Sequence, residues 1–337
     1  MTTNRDIQMR DPFVLARPET GKYYLFGTTD KDCWKGPGTG FDVYSGDDLE
    51  NWEGPFPAWR PEAGFRATHN FWAPEAHEYR GRYYLFASFK SDSVRRGTQI
   101  LVADDPAGPY RPHSDGPVTP PEWECLDGTL HVDENGDPWI VFCHEWVQVT
   151  DGEICARRLS ADLGEAVGEP VLLFCASEAA WTRPPRSVTR IISPDARVTD
   201  GPFLWRTGAG VLLMLWSSYS DSGYAMGIAR SETGTIAGPW IQETVPIANT
   251  DSGHGMLFRS FDGRLFMTVH SPNSTPDERP VFIEVGETGS GIRVRDRSSS
   301  SLGCCRPDGS VIGGRVMDSR GAGDRESDRP AAQKSPA

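Results

Sequence analysis

The sequence predicts an all-β fold, a five-bladed β-propeller. Three observations lead there. The 36 Gly and 27 Pro among 337 residues make the chain rich in turns and argue against a helix bundle. A turn glycine followed by a short apolar, aromatic-rich run occurs five times, at intervals of 53 to 74 residues. Each of these runs follows another strand-like run across a hairpin turn.

In chain order, residues 12–15 turn at Pro18-Glu19-Thr20-Gly21 and return as 22–26. Residues 76–79 and 82–86 flank Gly81, and 129–132 and 138–142 flank Asp133-Glu134-Asn135-Gly136. Residues 202–205 and 211–216 flank Gly210, and 256–259 and 264–268 flank Gly263. Apolar runs this short between turn signals suit buried strands better than helices. Gly54-Pro55-Phe56, Gly108-Pro109-Tyr110 and Gly238-Pro239-Trp240 mark the later part of three of the units. Units of this size cannot each close a core, so they must stack, and four strands per unit in radial array make a propeller. The propeller is expected over residues 5–285. Residues 286–337 hold no Trp, Phe or Tyr and much Ser, Gly, Arg and Asp, so a disordered tail is expected there.

With 34 basic and 47 acidic side chains the net charge is −13, which repels phosphate backbones and makes nucleic acid an unsuitable partner. No apolar run approaches the ~18 residues of a membrane span, so no membrane partner is expected. The N-terminal segment, Met1-Thr2-Thr3-Asn4-Arg5-Asp6, has no apolar signal core, and the seven Cys follow no framework spacing. Both point to free thiols in a reducing, cytoplasmic setting.

In a propeller the first strand of each blade lines the central channel, so equivalent positions meet around one axis. Just before these strands stand Asp11, Glu75, Asp127, Asp200 and His254, six to ten residues ahead of the turn glycine. Each precedes Pro, Ala or Gly. Taken singly, Asp-Pro and Asp-Gly are ordinary turn pairs; five polar residues near one phase suggest a site. Crowded carboxylates push their pKa values apart, which is what a general acid and a general base on a glycoside require. Indole faces suit sugar C–H surfaces. Trp72 lies outside a repeat strand and is a candidate sugar contact, whereas Trp139 and Trp216 fall on strands and read as core.

These residues resemble glycoside hydrolase family 43, the five-bladed propeller enzymes acting on xylose- and arabinose-containing glycans. The matching segments are Arg10-Asp11-Pro12, Trp72-Ala73-Pro74-Glu75, Leu126-Asp127-Gly128, Asp200-Gly201-Pro202-Phe203-Leu204 and Gly253-His254-Gly255, in family order. The resemblance implies an inverting β-xylosidase or α-L-arabinofuranosidase. Asp11 would be the general base, Asp127 the residue that tunes and orients the acid, and Asp200 the general acid. Trp72, Glu75 and His254 would bind substrate. No cofactor would be required, although His254 could mark a calcium ion in the central channel. The family usually has Glu where this chain has Asp200, which retracts the carboxyl by about one bond, roughly 1.5 Å. Glu145 is the alternative acid. A small oligosaccharide is the expected substrate, and exo action is weakly favoured. Two other readings use the same architecture. A non-catalytic carbohydrate-binding propeller would need no working acid. A glycoside phosphorylase would need cationic groups at the rim, for which Arg10, Arg183, Arg186 and Arg190 are the candidates.

Overall fold

The structure, a computed structural model, describes residues 1–185 and 193–295. It is a five-bladed propeller of antiparallel sheets. Blade one holds β1 (Thr2–Thr3), β2 (Arg10–Arg17), β3 (Lys22–Thr28), β4 (Phe41–Gly46) and β5 (Asn51–Trp59). Blade two holds β6 (His69–Tyr79), β7 (Arg82–Lys90), β8 (Gly97–Ala103) and β9 (Arg111–Pro117). Blade three holds β10 (Cys125–Val132), β11 (Pro138–His144), β12 (Glu153–Leu159) and β13 (Ala166–Cys175), with a short helix α1 (Trp146–Val149) after β11. Blade four holds β14 (Asp200–Arg206), β15 (Leu212–Ser220), β16 (Gly223–Ser231) and β17 (Trp240–Gln242). Blade five holds β18 (Leu257–Arg259), β19 (Leu265–Ser271), β20 (Arg279–Glu287) and β21 (Ile292–Val294). Each of the five repeats is therefore one blade, and each turn glycine lies in the hairpin between its two innermost strands (β2 and β3 in blade one).

The blades stack through aromatic wedges. Phe41 and Trp59 of blade one meet Phe71 and Phe89 of blade two, with ring centroids 5.3–6.3 Å apart. Trp216 of blade four packs on Phe174 of blade three and on Trp181. Burying one such ring is worth about 1.5–3 kcal/mol, and this is why a turn-rich chain can hold a radial fold. Trp216 is core, as its strand position suggested. Trp139 is partly buried, with its indole N–H bonded to Asp133 Oδ2 at 3.1 Å. Trp146 opens α1.

The last blade differs from expectation. Strand β20 runs to Glu287 and β21 pairs with it, so the fourth strand of blade five lies inside the segment whose composition read as tail. An edge strand packs little of its surface: β21 is only Ile292-Arg293-Val294, with Ile292 against the core and the other two exposed, too short for its alternation to stand out. The remainder of the expected tail, 296–337, lies outside the described residues. Cys33, Cys125, Cys143, Cys155 and Cys175 are free thiols.

Candidate active site

Each inner strand carries the same irregularity where it enters the channel. Arg10 pairs with Thr28 and the next paired residue is Phe13. Trp72 pairs with Ser88 and then Glu75 with Phe86. Leu126 and Thr129, and Asp200 and Phe203, skip in the same way. In blade five Gly253 bridges His270 just before β18. The first skipped residue has a left-handed backbone in every blade: Asp11, Ala73, Asp127, Gly201 and His254, with φ from 46° to 57°. The residue after it is Pro12, Pro74, Gly128, Pro202 or Gly255. A proline there has no N–H to leave unpaired in the gap. Such bulges re-aim a side chain, and here they turn it toward the axis.

Equivalence is therefore set by the bulge, and it corrects the sequence phase at two positions. Ala73, not Glu75, is the counterpart of Asp11 in blade two. Gly201, not Asp200, is the counterpart in blade four. On the corrected phase the five positions stand eight to ten residues before the turn glycine, a tighter window than the polar residues occupy.

A ring of bonds ties these positions together across the blade boundaries. Asp11 N–H donates to His270 Nδ1 (3.2 Å), which joins the last blade to the first. Ala73 N–H donates to Thr28 Oγ1 (2.9 Å), Asp127 N–H to Ser88 Oγ (2.9 Å) and His254 N–H to Ser217 Oγ (2.8 Å). In blade three the matching acceptor position is Cys143, whose thiol is a weak acceptor. Gly201 N–H bonds Asp127 Oδ2 instead, at 3.0 Å, which fixes that carboxylate. Thr28, Ser88, Cys143, Ser217 and His270 all stand seven residues after their turn glycine. That regularity was present in the sequence, but the chemical variety of the five hid it.

The functional side chains converge on His254. Its Nδ1 lies 3.0 Å from Asp11 Oδ1 and 3.7 Å from Asp127 Oδ2. Thr28 Oγ1 donates to Asp11 Oδ2 at 2.7 Å. Asp200 accepts from the Tyr224 hydroxyl at 2.9 Å. Phe13 meets Phe203 at 6.2 Å and His77 at 5.0 Å, both edge-on. Glu75 is not brought to this layer. It is 6% exposed and its carboxylate is paired with His77 at 3.0 Å. Trp72 is at the wall, with its indole N–H on Cys33 O at 2.7 Å and the Arg96 guanidinium 4.2 Å from its ring centre. Arg96 also ion-pairs with Glu145 and donates to Asn70 Oδ1 at 3.0 Å.

The family model for glycosyl hydrolases family 43 matches residues 6–286. This chain belongs to glycosyl hydrolase family 43. A solved structure of an endo-arabinase from Bacteroides thetaiotaomicron VPI-5482 superposes with a TM-score of 0.79 at 40% identity, covering 86% of this chain and 99% of that one. The extracellular exo-α-(1→5)-L-arabinofuranosidase ArbA of Cellvibrio japonicus (strain Ueda107) is 24% identical over 302 residues, 83% of this chain and 79% of that protein. A thermostable family-43 glycoside hydrolase shares the fold, with a TM-score of 0.71 at 23% identity over 88% of this chain and 95% of that one.

Burial and mutual charge divide the carboxyl groups of this family 43 member. Burial disfavours charge on Asp11, but the His254 imidazolium, with the Arg10 guanidinium beyond it, outweighs that and holds its carboxyl below the usual range. Asp127 is pushed up to about 8, chiefly by burial, with His254 opposing and the charges of Asp200 and Asp11 adding. Asp200 is pushed up to about 6 by burial, against His254 and the Tyr224 hydrogen bond. Burial opposes a charged His254, yet Asp11, Asp127 and Asp200 together raise it to about 10. His270 is pushed down to about 3 by burial and by Arg10. It is therefore neutral, accepting at Nδ1 and donating from Nε2 to Asn273 Oδ1 at 3.0 Å. The pocket thus holds one firmly ionised carboxylate and a coupled pair that retains a proton near neutral pH.

Three sequence expectations bear on this arrangement. Glu145 has its carboxylate committed to Arg96, so it is poorly placed to hand over a proton. His254 Nδ1 is turned to the Asp11 and Asp127 carboxylates, so of its ring nitrogens Nε2 is the one that could meet a cation. Among the described residues no group of three or more His, Cys, Asp or Glu side chains is arranged to hold a metal. Of the arginines considered for a phosphate, Arg10 is buried with its Nη2 on Asn273 Oδ1 at 2.6 Å, and Arg183 pairs with Asp221 at 3.0 Å. Arg186 and Arg190 lie outside the described residues.

Gly201 shows how tightly the centre is packed. A Cβ there would fall 2.4 Å from His254 Cδ2, on a backbone with φ of 50°. Gly201→Ala is expected to displace the imidazole and to lower kcat by at least about tenfold, since a misplacement near 1 Å can cost about a hundredfold. Kinetics beside a thermal melt check this. Wild-type turnover in a folded variant would show that the imidazole position is unimportant.

Proposed function

We propose that this family 43 glycoside hydrolase cleaves arabinose-containing glycosides by single displacement with inversion. Asp11 takes the proton from water, Asp200 gives the coupled pair's proton to the leaving glycosidic oxygen, and Asp127 shares that proton and is itself fixed by the Gly201 N–H. The observation that carries this reading is the division of charge around His254: Asp11 is held ionised while Asp127 and Asp200 are held toward the protonated form. An inverting hydrolase needs that pairing of base and acid. Arabinose is favoured over xylose because the endo-arabinase and the exo-α-(1→5)-L-arabinofuranosidase among the relatives both act on arabinose linkages.

Proton NMR of the first-formed sugar tests the mechanism directly. Hydrolysis of an aryl α-L-arabinofuranoside is expected to release the inverted anomer before mutarotation. Release of the retained anomer overturns the assignment of Asp11 as a base acting on water. Faster turnover of β-D-xylosides than of arabinosides overturns the sugar preference and leaves the mechanism standing.

A further inference from the structure

Trp34, on the loop between β3 and β4, combines exposure with restraint. Half of its surface, 50%, is open to solvent. Its indole N–H donates to Thr275 Oγ1 at 3.1 Å, on the loop after β19 in blade five. Its ring meets Trp72 of blade two edge-on, with centroids 5.2 Å apart. The Arg10 guanidinium lies 4.9 Å from its ring centroid, and Arg10 is itself held by Asn273. The neighbouring Cys33 is buried, and its carbonyl accepts from both Trp72 and Asn70. Blades one, two and five therefore each hold this side chain, although it is left partly uncovered.

The loop follows Thr28, whose hydroxyl bonds Asp11, so it opens at the end of the channel where the carboxylates gather. Arg10, stacked near Trp34, is the residue before Asp11. A large apolar surface exposed to water and fixed in orientation has already lost the side-chain freedom that binding would otherwise remove. Indole pairs an apolar face with a polar edge. Here the edge is satisfied by Thr275, so what remains for a ligand is apolar ring, which suits the C–H face of a sugar.

We propose that Trp34 carries a second sugar unit of the substrate, next to the unit held between Asp11 and Asp200. The inference rests on the glycosidase reading above. It makes the preferred substrate an oligosaccharide of at least two units instead of a simple glycoside, and it places the discrimination on a rim residue that takes no part in proton transfer.

The test uses the 337-residue chain carrying Asp11→Asn, so that ligands are bound but not consumed. Calorimetric titrations with arabinose, arabino-oligosaccharides of two to four units and the matching xylose series are compared with and without Trp34→Ala. Affinity is expected to rise at the second unit. Trp34→Ala is expected to remove about tenfold from the affinity for two units and longer, the scale of one aromatic contact. Binding of the monosaccharide should change by less than about twofold, as for an ordinary surface substitution. Trp34→Phe should retain most of the gain. An equal loss at every chain length, or none, overturns the subsite, and a lowered melting point without a chain-length effect assigns Trp34 to tying the blades together. If neither series binds even with Trp34 intact, the glycosidase substrate reading fails first and the subsite falls with it.

Discussion

Asp11→Asn is expected to reduce kcat by at least about 10³-fold, within the 10²–10⁴-fold range typical of a positioned general base. The substitution keeps size and leaves an oxygen for the Thr28 hydroxyl, so the left-handed turn at residue 11 and the bond from its N–H to His270 can persist. What is removed is the charge. Asp11 is the strongest of the groups favouring protonated His254, so the imidazole also loses its principal counter-ion. A melting point close to wild type, together with near-complete loss of arabinofuranoside hydrolysis, meets the expectation. A folded variant retaining half the activity would exclude Asp11 as the base.

Asp200→Ala should show its effect through the leaving group. An unactivated sugar alcohol needs a proton as it departs, whereas a nitrophenolate does not. Oligosaccharide hydrolysis is expected to fall about 10²–10⁴-fold, and nitrophenyl arabinoside hydrolysis much less. The pH profile gives a second readout. Asp200 must be protonated to act, and with Asp200 raised to about 6 and Asp127 to about 8, activity should decline as pH rises through that window. The decline belongs to the coupled pair and should flatten when Asp200 is removed. Equal loss on both substrates, with the alkaline limb intact, would assign Asp200 a structural part instead. A shorter carboxyl than the family's usual glutamate makes this the position where activity depends most on backbone placement.

The number of blades was legible because a hairpin glycine marks each one, and backbone requirements of that kind are written in residue type. The centre was legible in part. Asp11, Asp127 and His254 were in phase, since polar identity and bulge position coincide there. Glu75 and Asp200 were misphased for a physical reason: the bulge is a backbone feature, and in blades two and four it is occupied by Ala73 and Gly201, which carry no polar group. Gly201 must be small because the imidazole of another blade fills its side-chain space, a fact no local pattern holds. Tyr224, Arg96 and Trp34 reach the site from third strands and loops, and their approach depends on packing between segments far apart in sequence. Strand β21 escaped notice because an outermost strand buries so little.

The circle of bonds from main-chain N–H groups to side chains around the hub carries a consequence for how this enzyme comes into being. The acid Asp200 is held within its own blade by Tyr224, but the other groups are not. Base, imidazole and modulating acid each lean on an adjoining sector, and the final link joins the fifth sector to the first. A nascent or nicked polypeptide lacking its last sector would contain most of the reactive residues and still possess no working centre. Competence arrives in one step, when the wheel shuts.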